Sequence, residues 1–219
     1  MAKSMPVRER RRVAEIFARF AAAAPDPRTE LAYRSPYELL VSVVLSAQAT
    51  DVSVNKATKA LFARAATPAA MLALGEAGLI PFIASIGLFR TKARNVTALS
   101  RLIIERHGGE VPLERTALQA LPGVGRKTAS VVLNELDIEP AIAVDTHVFR
   151  VAHRLALSAG KTPDKVEADL MAVVPKDGLT RAHHRLILHG RYICIARKPK
   201  CAQCLVADLC PSQAMFLGV

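Results

Sequence analysis

The chain has 219 residues, 51% of them hydrophobic, which is enough for one large domain or two small ones. No apolar run reaches the roughly 18 residues that a membrane span needs, so we expect no membrane partner. With 30 Lys plus Arg against 19 Asp plus Glu, the net charge of +11 favours nucleic acid as the partner, with a merely basic soluble protein as the alternative.

The first patterned segment is the arginine-rich stretch VRERRRVAEIFARFAAAA near the N-terminus. A transit peptide has a similar composition, but Glu9 and Glu15 interrupt this stretch, and its apolar residues recur at helical spacing. These apolar residues are Val13, Ile16, Phe17 and Phe20. We therefore predict a folded amphipathic helix. Because no apolar signal-peptide core precedes a cleavage site, we expect a cytoplasmic protein in a reducing compartment.

Residues that cap helices mark the next elements. Ser35 to Glu38 have the spacing of a capping box with Pro36 at the first helical position, which predicts a helix through LLVSVVLSAQ. We predict that Asp51 caps a helix over DVSVNKATKALFARA and that Thr67-Pro68 opens another.

Glycines divide the following stretch. We expect Gly75, Gly78 and Gly87 to separate short helices around PFIASIGL. A longer helix is predicted over TKARNVTALSRLIIERH, and the Gly108-Gly109 pair is predicted to end it.

The rest of the chain is again helical in pattern. Short helices are predicted over residues 116–121 and 126–136, on either side of a glycine-containing turn. Asp145 is predicted to cap THVFRVAHRLAL, Thr162-Pro163 to start KVEADLMAVV, and LTRAHHRLILHGRYIC to form the last helix. No hairpin dipeptide lies between alternating strands, so the predicted fold class is all-α.

The turn between the two short helices lies in LPGVGRKTASVVL, residues 121–133. Gly123 and Gly125 permit positive φ and let a phosphate approach the backbone N–H groups closely, and the next helix points its positive end there. Gly123, Val124 and Gly125 are thus a candidate DNA-backbone site, with an ordinary glycine turn as the alternative. A nucleoside triphosphate loop fits poorly because one residue separates the glycines.

The four cysteines of the chain, Cys194, Cys201, Cys204 and Cys210, all lie in CIARKPKCAQCLVADLC. Such clustering in a reducing compartment indicates a metal site, and four thiolates suit either zinc or a 4Fe–4S cluster. Structural zinc usually has two close cysteine pairs and this segment has one C-x2-C, which favours iron–sulfur. The loop between the first two cysteines carries Arg197, Lys198 and Lys200, which could contact a phosphate backbone.

Together these motifs resemble the endonuclease III family of DNA glycosylases and abasic-site lyases, in the helix-hairpin-helix superfamily. The resemblance runs from about SPYELL to the last cysteine and includes LSAQATDVSVNKAT, IGLFRTKA, LPGVGRKTA, AVDTHVFRV and LHGRYICIARKPKC. It implies a central helical domain over residues 29–139 with the helix-hairpin-helix, and a discontinuous iron–sulfur domain over residues 1–28 and 140–219. It also implies double-stranded DNA in a cleft between them, a 4Fe–4S cluster, and a monomer that associates with the nucleoid through DNA.

The resemblance also implies a mechanism. Lys127 opens the helix after the glycine turn, where we expect partial burial and nearby positive charge to favour the nucleophilic free amine. The family's lysine attacks C1′ of a damaged pyrimidine nucleotide, expels the base and forms a Schiff base, and β-elimination then cuts 3′ of the abasic site. Asp145, by default a helix cap, is implied to assist that lysine and to stabilise positive charge on the sugar.

Extrusion of a nucleotide leaves a hole in the duplex that must be filled. Gln48 in SAQAT and Leu88 in IGLF match the family's filling and wedging residues, although by themselves they read as a helix-terminal glutamine and a core leucine. Two alternatives stay open. A monofunctional relative such as adenine glycosylase differs at the lysine position and has a further C-terminal domain, and a non-catalytic DNA-binding module with structural zinc would not need both Lys127 and Asp145.

Overall fold

The computed structural model of the protein describes residues 6–217. Within this range the chain has eleven α-helices and no strand, so the all-α prediction is confirmed. The helices are α1 Val7–Ala23, α2 Pro36–Ser46, α3 Asp51–Arg64, α4 Pro68–Ile83, α5 Phe89–His107, α6 Arg115–Gln119, α7 Arg126–Glu135, α8 Thr146–Arg154, α9 Pro163–Val173, α10 Leu179–Tyr192 and α11 Ala214–Leu217. Short 3-10 helices lie at Lys176–Gly178, Cys201–Gln203 and Ala207–Leu209.

The chain divides into two compact units. One comprises Thr29–Glu139 and contains α2 to α7, and the other combines Met1–Arg28 with Pro140–Val219 and contains α1 and α8 to α11. Each unit has its own buried apolar core.

The core of the Thr29–Glu139 unit is built around α2, whose residues from Tyr37 to Leu45 are all buried. A helix that is apolar on every side must be enclosed by others, and α2 packs against α3, α5 and α7. Ser35 caps α2 as predicted, accepting a hydrogen bond from the Glu38 amide. The cap predicted at Asp51 is wrong, because Thr50 accepts from the Ser53 amide and leaves Asp51 in the first turn, where a carboxylate also suits the helix dipole.

The glycine-rich stretch is more continuous than the sequence suggested. Gly75, at φ 68°, kinks α4, and Gly87 lies in the turn before α5, but Gly78 stays inside α4 and separates nothing. One glycine with a left-handed backbone is enough to bend the helix, and Gly78 lies between Ala77 and Leu79, which are good helix formers. Gly108, at φ 60°, ends α5 as predicted.

The second unit packs α1 and α8 to α10 around its core. The predicted amphipathic character of α1 is confirmed, since Val13, Ile16, Phe17 and Phe20 are its buried residues. Asp145 and Thr162 cap α8 and α9 as predicted. In the part of the chain that the structure describes, no single helix is long and apolar enough to cross a membrane, and only the bent pair of α3 and α4 meets that length and composition when the two are taken together.

Candidate functional site

The helix-hairpin-helix is formed by α6, a turn over residues 120–125, and α7. Gly123 has φ 80°, a conformation that L side chains rarely adopt, and a Cβ atom there would lie 3.0 Å from the Asn95 side chain. Val124 is buried, and its amide donates to the Leu121 carbonyl at 3.1 Å. The conformation of the turn is therefore held by its packing against Asn95 and by a hydrogen bond within its own backbone.

Gly125 has a different role from Gly123. Two glycines permit positive φ, but only Gly123 uses it, because Gly125 is extended at φ −86° and ψ 179°. A Cβ atom at Gly125 would meet nothing within 4 Å. The residue is the N-cap of α7 and has no side chain to bond the first amides of the helix. Space and backbone donors are thus both available to an anion at this end of α7.

Lys127 lies in the first turn of α7 and is exposed, so the expected partial burial is wrong. Side chains in the first turn of a helix point back toward its N-terminus, which accounts for this exposure. The two helices of the hairpin are braced behind the turn, because Arg115 of α6 donates to Ser130 Oγ of α7 at 2.9 Å and to the Glu139 carboxylate. The lysine is thus an exposed amine beside a braced hairpin.

Gln48 and Leu88 both have left-handed backbones, at φ 55° and 60°, and both side chains are exposed. Their two turns are neighbours, since a Cβ atom at Gly87 would lie 3.8 Å from the Gln48 carbonyl oxygen. A large apolar residue with positive φ and 57% exposure is costly to keep, which argues against Leu88 as a core leucine. These two turns present both side chains to solvent from one unit.

Asp145 lies in the other unit as the N-cap of α8. Its Oδ1 atom accepts hydrogen bonds from the His147 and Val148 amides, both at 2.8 Å. Among the residues that the structure describes, Oδ2 has no hydrogen bond, so one oxygen fixes the side chain and the other is left for chemistry. The cap and the acid can be the same group.

Two arginines of α8 hold the segment that carries the first cysteine. Arg150 donates to the carbonyl oxygens of Cys194 and Gly190, at 2.9 and 2.8 Å. Arg154, one turn later, donates to Cys194 Sγ at 3.4 Å and to the Ile195 carbonyl at 2.8 Å. The helix that Asp145 caps is therefore also the support of the cysteine segment. This role was not predicted from the sequence, although the spacing by four residues places both arginines on one face of α8.

The N-terminal helix supports the other end of the cysteine segment. Arg12 donates to the carbonyl oxygens of Leu155 and Leu209, both at 2.9 Å. Arg19 donates to the Leu205 carbonyl at 3.0 Å and to the Asp208 carboxylate at 2.7 Å. Guanidinium groups thus reach the backbone between the last two cysteines from a helix that is far away in sequence.

All four cysteines are free thiols and line one open cavity. In the described part of the chain, no three His, Cys, Asp or Glu side chains lie close enough to hold a single metal ion. Four thiols around a larger space fit a cluster of several atoms better than a tetrahedral zinc ion. Burial raises the pKa of the Cys204 and Cys210 thiols, a cost that binding as thiolates to iron would remove.

The cavity also has an apolar and aromatic wall. His189 lies on it with Nε2 3.8 Å from Cys204 Sγ, and burial lowers the pKa of this imidazole to about 4.

The loop beside the cavity carries three exposed cations, Arg197, Lys198 and Lys200, and Lys198 has a left-handed backbone at φ 52°. A cluster held by the flanking cysteines would fix these cations on the surface.

Comparison with known proteins identifies the family of the chain. The family model described as HhH-GPD superfamily base excision DNA repair protein matches residues 41–176, and the iron-sulfur binding domain of endonuclease III matches residues 194–210. The chain is 56% identical over 196 residues to endonuclease III of Escherichia coli strain K12, covering 90% of this chain and 93% of that protein.

Two solved structures are similar to the fold. One is a non-covalent endonuclease III–DNA complex, with TM-score 0.89, 43% identity, and coverage of 98% of this chain and all of the other. The second is a trapped endonuclease III–DNA covalent intermediate, an estranged-adenine complex, with TM-score 0.88, 43% identity, and coverage of 97% of this chain and all of the other.

Proposed function

Because the chain belongs to the HhH-GPD superfamily of base excision DNA repair proteins, in its endonuclease III family, we propose that Lys127 and Asp145 carry out its DNA glycosylase and abasic-site lyase reactions. The observation that carries the proposal is the position of Lys127, exposed in the first turn of α7 behind a glycine turn with room for a phosphate. A helix N-terminus of this kind holds the DNA backbone, and the lysine then lies within reach of the sugar beside it.

The lysine acts as the nucleophile. Its Nζ lone pair forms a bond to C1′ of the damaged nucleotide while the bond from C1′ to the base breaks, and the base leaves with the electron pair. Opening of the sugar gives a Schiff base between Nζ and C1′. Loss of a proton from C2′ then breaks the C3′–O bond, which cuts the strand on the 3′ side. The trapped covalent intermediate described for a similar endonuclease III supports this covalent course.

Asp145 stabilises the charge that develops in the first step. Since Oδ1 is committed to two amides of α8, the carboxylate has a fixed orientation, and Oδ2 can face the positive charge on the sugar or take a proton from the lysine. A preoriented charge needs no reorganisation during the reaction.

The substrate we propose is an oxidised pyrimidine or an abasic site in double-stranded DNA, bound by a monomer. Extrusion of the damaged nucleotide leaves a gap, and the exposed Gln48 and Leu88 are suited to fill it because their left-handed backbones hold them away from the fold. Gly123, Val124 and Gly125 bind one stretch of phosphate backbone, and Arg197, Lys198 and Lys200 bind another.

The thiolates of four cysteines would hold the 4Fe–4S cluster of this family: Cys194, Cys201, Cys204 and Cys210. A bound cluster would fix the basic loop between Cys194 and Cys201, and so support its contacts with DNA. Arg150 and Arg154 position the segment around Cys194. The loop then presents its cations from a rigid support.

Borohydride trapping tests the proposal. Added during turnover on a duplex with one oxidised pyrimidine, borohydride reduces the Schiff base and leaves a covalent protein–DNA adduct. Lys127→Gln should form no adduct, whereas Arg126→Gln, which removes the neighbouring charge from the same exposed turn, should still form it. An adduct from Lys127→Gln at the wild-type rate would assign the chemistry to another amine. A wild type that releases bases but never traps would favour the monofunctional alternative.

A further inference from the structure

The chain continues past the last cysteine and returns to the cysteine cavity. The Gln213 amide donates to the Cys210 carbonyl at 3.1 Å, and the Phe216 amide donates to the Gln213 carbonyl at 3.0 Å. These consecutive turns lead into α11, which contacts the 3-10 helix Cys201–Gln203. The segment after Cys210 is therefore folded onto the cysteine segment rather than extended into solvent.

Phe216 reaches the cavity from this segment. Its ring lines the cavity and is still 39% exposed, so it lies at the rim with one side toward the cysteines and the other toward solvent. Its neighbour Met215 is 79% exposed and does not line the cavity. Of these two neighbours, Phe216 is the one whose position the cavity accounts for.

Arg154 fixes the ring. Its guanidinium carbon lies 4.4 Å from the centroid of the Phe216 ring, within the range of a cation–π contact. The same guanidinium donates to Cys194 Sγ and to the carbonyl oxygens of Ile195 and Ala196, so its plane is held by three hydrogen bonds. Because the guanidinium is fixed, it gives the Phe216 ring a fixed surface on which to stack. Arg154 thus contacts both Cys194 and the ring at the rim of the cavity.

We propose that Phe216 is a further residue of the iron–sulfur site, a cover that Arg154 holds over the rim of the cavity and that limits access of oxidants and chelators to the cluster. The apolar shell of a metal site controls how easily solvent and solutes reach it. The four cysteines supply the ligands, and the segment after Cys210 supplies the closure. This role concerns the lifetime of the cofactor and does not depend on which residues act on DNA.

The test is the rate at which the cluster is lost from otherwise intact holoprotein. Four proteins are purified without oxygen and matched for iron content: wild type, Phe216→Ala, Phe216→Leu and Met215→Ala. Visible absorbance is then followed in aerated buffer, and in a second series with an iron chelator. Phe216→Ala should lose its absorbance roughly 3- to 10-fold faster than wild type in both series. Phe216→Leu, which keeps apolar cover without the ring, should fall between them, and Met215→Ala should match wild type.

An anaerobic series without chelator separates access from stability. There Phe216→Ala should keep its iron and its thermal unfolding midpoint as wild type does. Equal rates for Phe216→Ala and wild type in air and in chelator would overturn the proposal. So would faster loss of iron by Phe216→Ala in the anaerobic series, because the ring would then hold the site together rather than cover it. No DNA is present in these measurements, so their outcome is independent of the roles of Lys127 and Asp145.

Discussion

Gly123 lies directly against Asn95: a Cβ atom at this glycine would be 3.0 Å from both Cβ and Nδ2 of the asparagine. Asn95 lies in the middle of α5, the long helix behind the hairpin turn. The contact fixes how closely the turn approaches the helix, and only a residue without a side chain permits it. Together with φ 80°, it makes Gly123 a structural requirement.

Gly123→Ala should therefore destabilise the protein. A left-handed alanine costs about 1–2 kcal/mol, and displacement of Asn95 adds to that cost. The control is Gly109→Ala, since Gly109 has φ 88° but nothing within 4 Å of its added Cβ, so it isolates the backbone strain. Urea unfolding of both variants measures the difference. Equal losses would show that Asn95 moves aside freely and that the contact does not hold the turn.

Gly125→Ala should leave the stability of the protein nearly unchanged and weaken its binding to DNA. The extended backbone at φ −86° accepts alanine, and the added methyl meets no atom of the protein, so stability should stay within about 1 kcal/mol of wild type. The methyl would occupy the space in front of the first amides of α7, where we propose that a phosphate binds. Affinity for an abasic-site analogue, measured by fluorescence anisotropy, should fall by roughly tenfold, a loss of about 1.4 kcal/mol. Unchanged affinity would place the phosphate elsewhere.

Asp145→Asn tests the capping role of Asp145 separately from its proposed role in base excision. Asparagine caps helices as well as aspartate does, so the His147 and Val148 amides keep their acceptor and stability should change little. The carboxylate is lost, and single-turnover base excision should slow by roughly 10²- to 10⁴-fold. The control is Thr162→Ala, which removes the cap of α9, where the threonine accepts from the Lys165 amide. It should cost about 1 kcal/mol of stability without changing the rate. A fast Asp145→Asn enzyme would limit Asp145 to the cap.

Much of the fold could be read from the sequence because its signals are local. Ser35, Thr67 and Thr162 each cap the helix that their spacing predicts, since the hydroxyl and the amide that it accepts from are three residues apart. The error at Asp51 has the same origin, because two adjacent residues, Thr50 and Asp51, are both good caps and only the backbone conformation decides between them.

The features that were not predicted depend on contacts between distant segments. The left-handed backbones of Gln48 and Leu88 have no local signal, because neither residue type favours that conformation. The contact of Arg154 with Phe216 joins residues on α8 and α11, and no spacing within either helix indicates it. Exposure of Lys127 likewise depends on what the rest of the fold leaves uncovered.

Lys198→Ala tests the basic loop by salt dependence. The exposed lysine has φ 52°, which alanine adopts about as readily as lysine, so the change removes a charge with little effect on the loop. If the lysine contacts a phosphate, the slope of log affinity against log salt for undamaged duplex should become shallower by about 0.9. Lys161→Ala removes an exposed lysine from the segment before α9 and should leave the slope unchanged. An unaltered slope for Lys198→Ala would remove this side chain from the DNA interface.

Lys92 in α5 offers a test of stability against pH. The residue is 4% exposed, and its Nζ atom has no hydrogen-bond partner among the described residues. Burial lowers the pKa of this amine from 10.5, because the charged form is poorly solvated there. The unfolded chain therefore binds the proton more readily than the folded chain, and this opposes folding at every pH below the unfolded pKa. The cost is complete below the folded-state pKa and shrinks as the pH rises from there toward 10.5.

Lys92→Met keeps the length of the side chain and removes its charge, so it should stabilise the protein at pH 7 by about 1–3 kcal/mol. The gain should decline as the pH rises from the lowered folded-state pKa toward 10.5, because the wild-type amine then folds in its neutral form at a shrinking cost. Lys59→Met, at an exposed position of α3, should show no gain of this size at any pH. Urea unfolding of the three proteins over this pH range gives the comparison. A loss of stability in Lys92→Met at pH 7 would mean that the ammonium group is satisfied in solution, as by a water bridge to backbone carbonyls.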